Sequence, residues 1–336
     1  MKLKISFTDP TVGLICQGYF HLSQIEDAGG YEIVFTGVDK KLLDSDLSPE
    51  NLIPEGTGKE SSMRMTLKEG FHLFFLPKRK KVFSFYPEGI FYESERQGDS
   101  CNFFYENTFN DEILPPNSSG VISTIYWFLE CLGIFRLHAA YVQYNGMDII
   151  FAGKGAVGKT TYALNVAMNG GSIYCDDQVF FRNGKQDRIE VYPSVKKIAI
   201  TEKTIDFFPG LLSFKDPVHK RLHKYHFSLE EIFPTSRIRA GVPGFVIFPV
   251  ILNEADPRPA KAERMSSYEG FLAFLKGEIL YPLVSSKNRG TQMNLLERLS
   301  SQARIFSFYH CLDMEKNFKL FKDTVLLERI SENVIS

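Results

Sequence analysis

Short apolar runs separated by glycine, proline and polar clusters dominate the first third of the chain. Phe71-His72-Leu73-Phe74-Phe75-Leu76 and Lys81-Val82-Phe83-Ser84-Phe85-Tyr86 are brief and aromatic, the pattern of strands, and predict a mostly β amino-terminal region. The character changes near residue 117. Leu114-Pro115-Pro116-Asn117-Ser118-Ser119-Gly120 reads as a linker, residues 121–132 as a buried helix ending at Gly133, and residues 137–144 as a strand. Asn145-Gly146 between two apolar runs is a hairpin signal, and the run at 147–152 suits a buried strand. Residues 161–168 are good helix formers that run into the Gly170-Gly171 stop. Further strands are predicted at 172–175, 179–182, 189–192 and 245–252, and helices at 267–276, 292–303 and 315–329. The expected organisation is a β-rich domain over 1–117 and an α/β domain over 118–336.

Composition narrows the classes. With 336 residues and 44% hydrophobic content, the chain can build a substantial core. A net charge of −1 provides no basic excess for a nucleic-acid backbone. The five cysteines are scattered, without C-x-x-C pairs, and read as reduced thiols rather than a disulfide framework or zinc site. No apolar run approaches the ~20 residues of a membrane span, and Met1-Lys2-Leu3-Lys4 lacks a signal-peptide core. A soluble cytoplasmic protein is expected.

The chemistry concentrates at Gly153-Lys154-Gly155-Ala156-Val157-Gly158-Lys159-Thr160, a complete match to G-x-x-x-x-G-K-[ST], followed by Thr161. The predicted strand before it and helix after it supply the setting the motif needs. Loop N–H groups and the helix dipole face phosphates, Lys159 reaches the terminal ones, and the Thr160 hydroxyl can ligate Mg²⁺. The fold class expected is therefore α/β, with a P-loop nucleotide-binding domain and ATP and Mg²⁺ as cofactors.

Asp176-Asp177 follows the predicted strand at 172–175, about one helix and a turn beyond the loop. Paired acids there can divide two tasks, one holding Mg²⁺ and the other accepting a proton from an attacking hydroxyl. The same dipeptide also reads as a turn that caps a neighbouring element. His138, at the start of the strand expected beside the loop strand, fits an active-site neighbour or a satisfied structural histidine.

Leu137-His138-Ala139-Ala140, the loop from Gly153 to Thr161, and Asp176-Asp177 occur in an order that resembles the HPr kinase/phosphorylase-related P-loop kinases, whose nucleotide site is of the phosphoenolpyruvate carboxykinase type. Similar stand-alone members include kinases that phosphorylate lasso-peptide precursors. The resemblance covers about 118–250. It implies that Lys159 and Thr160 bind phosphates and Mg²⁺, that Asp176 is the base for a seryl hydroxyl, and that Asp177 is its metal-side partner beside His138. Tyr192-Pro193-Ser194-Val195-Lys196-Lys197 is similar to the family's Pro-containing strand. Lys220-Arg221 falls in its basic segment, with Arg221 as a transition-state cation. The family's Ser-Gly within the loop is replaced here by Gly155-Ala156, and the Gly-rich carboxy-terminal signature of the bifunctional enzymes is missing. The implied partner is a peptide or protein acceptor, with a small-molecule hydroxyl as the alternative and homo-oligomerisation left open.

Gly153 to Thr161 also resembles the loop of partition and Min-type switch ATPases, in which the early lysine, here Lys154, reaches across a dimer. Those loops lie near the amino terminus and precede two aspartates separated by one residue. Here the loop begins at 153 and the aspartates are adjacent, which favours the kinase reading.

Overall fold

The structure is a computed structural model. It describes seven strands before residue 107, and residues 126–335 apart from 127–128, 131, 194–196, 214–219, 222–223, 235–239, 253–258, 277–286 and 312. The chain forms two compact units, Met1–Ile134 with Pro282–Thr291, and Phe135–Tyr281 with Gln292–Ser336. The expected linker at 114–120 lies outside the described residues. So does most of the expected helix at 121–132, of which Tyr126, Leu129 and Glu130 are helical.

In the first unit β1 (Lys2–Phe7), β2 (Gly30–Val38), β3 (Met63–Thr66), β4 (His72–Leu76), β5 (Lys81–Phe85), β6 (Phe91–Gln97) and β7 (Ser100–Glu106) form one sheet. Its order is β1-β2-β7-β6-β5-β4-β3. The two aromatic segments supply the antiparallel pair β4–β5, with Phe74 opposite Phe83. β2 is parallel to both β1 and β7.

The second unit contains β8 (Phe135–Leu137), β9 (Ala139–Tyr144), β10 (Met147–Ala152), β11 (Ser172–Cys175), β12 (Val179–Asn183), β13 (Ile189–Pro193), β14 (Lys197–Thr201), β15 (Lys220–Arg221), β16 (Lys224–Ser228), β17 (Phe245–Ile251), β18 (Lys261–Met265) and β19 (Arg304–His310). Its main sheet runs β11-β9-β10-β17-β19-β18, with small sheets β13-β12-β8 and β14-β16-β15 beside it. The Asn145-Gly146 turn, with φ of 49° and 78°, joins β9 to β10, and the two strands pair antiparallel. From Asp148 to Ala152, β10 is buried throughout, which explains why it is written as an apolar run rather than an alternation.

The helix Lys159–Met168 packs on β9 and β11, and the helix Met314–Ile335 packs against it. Tyr144, Phe151, Tyr162, Phe308 and Phe321 meet in one aromatic cluster, with the Phe151 and Tyr162 rings stacked 5.3 Å apart. The predicted late helices occur as Ser267–Leu275, Lys287–Gln302 and Met314–Ile335. Ser266 and Glu269 close a reciprocal cap at the first of these.

Residues 137–144 do not form the single strand that the apolar pattern predicts. The strand breaks at His138, and its two pieces, β8 and β9, enter different sheets. The Ala139 N–H donates to the Asp177 carbonyl at 3.2 Å, continuing the antiparallel register in which Tyr141 faces Cys175.

Candidate functional site

The chain from β10 to the end of β11 builds the site. Gly153, Ala156 and Gly158 have φ of 154°, 60° and 94°, so the loop turns back on itself after β10. A Cβ at Gly153 would lie 2.9 Å from the Val157 side chain, so a glycine is required there. Gly158 stands at the helix start without a side-chain cap. The first-turn N–H groups, which have no intrahelical acceptor, are left facing the loop. Lys154, Gly155 and Ala156 are exposed at the loop tip, and Val157 and Gly158 are half-buried.

Lys159 is 5% exposed, and its ammonium donates to the carbonyls of Gly153 at 2.9 Å and Lys154 at 2.7 Å. Burial pushes its pKa down to about 8, against the opposing pull of Asp176 and Asp177. The Thr160 hydroxyl lies 2.9 Å and 3.0 Å from the two Asp176 oxygens. Thr161 instead faces Thr204 at 3.4 Å, and Thr204 faces Thr201 at 3.0 Å, a chain of hydroxyls that ties the loop helix to β14.

The end of β11 delivers the acid pair. Its register against β9 shifts between Ile173 and Cys175, and Asp177 adopts a φ of 70°, so the two carboxylates diverge. Asp176 is buried against Thr160. Asp177 turns to His138, whose Nδ1 lies 3.0 Å from the Asp177 Oδ1 and 3.0 Å from its carbonyl. The structure thus brings Lys159, Thr160, Asp176, Asp177 and His138 together. The Thr160 hydroxyl meets Asp176 rather than Asp177.

Electrostatics separate the two acids. Burial, reinforced by the Asp177 charge, pushes Asp176 up to about 6 despite the Thr160 hydrogen bond and Lys159. Burial alone would also raise Asp177, but the His138 hydrogen bond and charge, with Lys224 and Lys159, hold it below the usual carboxylate value. Because folded Asp176 keeps its proton to higher pH than the unfolded chain, it adds stability at low pH. That contribution is lost as pH rises from 3.8 through about 6. Without ligands, Asp176→Asn is therefore expected to stabilise the fold at pH 7 by up to about 3 kcal/mol and to change little at pH 3. Denaturant titrations at both pH values measure this. Equal effects at the two would show that Asp176 carries no such burden.

Pattern reading missed Lys224, the first residue of β16, which is exposed and acts electrostatically on both Lys159 and Asp177. Its backbone pairs with Arg221 on β15. The Arg221 side chain lies outside the described residues, as do residues 194–196 of the Pro-containing stretch. It also missed His310, described below. Among the described residues, no group of three or more His, Cys, Asp or Glu could by itself hold a metal ion.

No protein-family model matches the chain, and no curated protein matches it. Among solved structures it is similar to an HPr(Ser) kinase/phosphatase from Coxiella burnetii, at 12% identity and a TM-score of 0.34, over 59% of this chain and 95% of that one. A likeness of that size assigns neither fold nor activity. No helix in the described residues is long and apolar enough to cross a membrane.

Proposed function

We propose that the protein is an ATP- and Mg²⁺-dependent kinase that transfers the γ-phosphoryl group to a hydroxyl, a serine of a peptide or protein. The observation that carries this reading is the contact of Thr160, on a strand–loop–helix phosphate motif, with the buried Asp176 beside Lys159. Gly153, Gly155 and Gly158 leave room for backbone N–H groups of 153–161 to close on phosphates, and Lys159 supplies the charge. Thr160 and Asp176 would hold Mg²⁺, whose remaining ligands would be phosphate oxygens and water. A carboxylate raised to about 6 and crowded by a second acid favours a cation. Once bound, Mg²⁺ supplies charge neutralisation on the phosphates.

Asp177 then takes the acceptor proton. It is about half exposed, where Asp176 is buried, and His138 fixes its orientation. This assignment exchanges the roles that the family resemblance implies for the two acids. Lys224, and Arg221 three residues before it, are the cations for the charge that develops during transfer. Since Asp176 must be ionised to hold the metal and Lys159 must be charged to hold the phosphates, kcat/KM at limiting Mg²⁺ should rise with pH through about 6 and fall again through about 8. A pH–rate profile falling through about 6 would contradict the metal role of Asp176.

Incubation with γ-labelled ATP, Mg²⁺ and a serine-containing peptide library tests the reaction. Label in phosphoserine is expected. Release of inorganic phosphate alone, dependent on dimerisation, would replace the kinase with a switch ATPase, and label on a small molecule would move the acceptor to that class.

A further inference from the structure

His310 closes β19 and is 3% exposed. Its Nε2 lies 3.3 Å from the Val157 carbonyl in the phosphate loop, 153 residues away in the chain. A Cβ built on Gly158 would come 3.1 Å from both Cε1 and Nε2 of the same ring. The imidazole therefore supports the last peptide of the loop from behind. The ring is itself held: Tyr162 of the loop helix packs edge-on against it at 4.8 Å. Behind it, Asn317 donates to the Cys311 carbonyl at 2.7 Å and Asn165 to the Met314 carbonyl at 2.8 Å. The first braces the segment after β19 internally, and the second ties it to the loop helix.

We propose that His310 is a positioning residue for the phosphate loop, donating from Nε2 to Val157 so that the 156–158 turn is held in the conformation that presents its N–H groups to phosphate. This rests on the nucleotide reading above. The loop needs outside support because Ala156 and Gly158 both occupy left-handed conformations, with φ of 60° and 94°, and the helix start has no side-chain cap. Ala156 is not glycine, so its conformation has a cost that surrounding structure must meet. An unprotonated ring nitrogen cannot donate to a carbonyl, so the bond to Val157 requires the tautomer protonated at Nε2. Burial lowers the ring's affinity for a second proton and leaves it neutral at pH 7, with one N–H to give. Nδ1 lies 3.4 Å from the carbonyl of the adjacent Cys311, the longer of the two contacts.

Calorimetric titration with ATP·Mg²⁺ on the full chain tests this with two variants. His310→Leu fills the space without a donor, and should raise Kd about 5- to 10-fold. His310→Gln, which carries an N–H at a similar reach, should return to within about twofold of wild type. Affinity unchanged in His310→Leu overturns the proposal, and so does equal weakening in both variants, which would mark a steric role. Long-range ¹H–¹⁵N NMR on the wild type needs no variant to fold. The Nε2-protonated tautomer is expected, and an Nδ1-protonated ring overturns the proposal. A wild type that binds no nucleotide would remove the nucleotide reading and this inference together. Binding by wild type alongside unaffected variants would remove this inference alone.

Discussion

Asp177→Asn is expected to lower phosphoryl transfer by about 10²-fold or more while leaving ATP·Mg²⁺ affinity within about threefold of wild type. The variant keeps the shape of the side chain and removes its capacity to take a proton. A serine hydroxyl is a poor nucleophile, and its proton must leave toward a group within hydrogen-bond reach as the bond to phosphorus forms. The His138 Nδ1, 3.0 Å from Asp177, holds the carboxylate in place, so His138→Ala should reduce transfer in the same direction and by less. Asp176→Asn separates the roles of the two acids. It removes an anion from the Thr160 side of the site, and its defect should appear in the Mg²⁺ concentration needed for half-maximal rate. Single-turnover transfer and Mg²⁺ titrations measure both. Normal transfer by Asp177→Asn would withdraw the proton-acceptor role, and a Mg²⁺ requirement shifted by Asp177→Asn instead of Asp176→Asn would restore the roles the resemblance implies.

Lys159→Ala is expected to weaken ATP·Mg²⁺ binding by about 100-fold. The ammonium is buried and already committed to the loop carbonyls of Gly153 and Lys154, so it is held close to where phosphates would lie. Its pKa of about 8 leaves it largely charged at pH 7, and a charged donor against phosphate is among the stronger hydrogen bonds available. The substitution also removes the cation that offsets Asp176, so the Asp176 carboxyl should titrate at a still higher pH. Calorimetry reads the first effect and the pH–stability profile reads the second. Unchanged affinity would remove the phosphate role of the loop altogether.

The parts of the site that lie close together in the chain are legible in its sequence. The β10 run, the glycine spacing, Lys159, Thr160 and the acid pair fall between residues 147 and 177. Their arrangement follows from local rules about where glycine, helix starts and strand ends place backbone N–H groups and carboxylates. The break at His138 is different. Residues 137–144 read as one strand, and the pairing that sends 135–137 to one sheet and 139–144 to another is made with partners distant in the chain, among them Asp177, 38 residues beyond Ala139. The pairing of Thr160 with Asp176 is hidden for a similar reason, since a φ of 70° at Asp177 decides which acid faces which way. His310 arrives through the parallel pairing of β17 with β19, a contact between distant segments that no local periodicity reports. Arg304–His310 also follows the helix Lys287–Gln302 directly, without the turn residues that mark a strand's beginning.

The place of β19 in the main sheet bears on the order in which the protein is made. Every motif residue of the phosphate site has been synthesised by residue 177, yet the sheet that holds β10 is incomplete until β17 and then β19 have been made. A nascent chain that ends before Arg304 contains the whole signature, but its β17 has one edge bare and nothing stands behind Gly158. Such long-range parallel pairing forms slowly and exposes apolar strand edges while it waits. A fragment ending near residue 300 is thus a poor stand-in for the whole, because its last missing strand lies beside the core of the site and not at the sheet's margin.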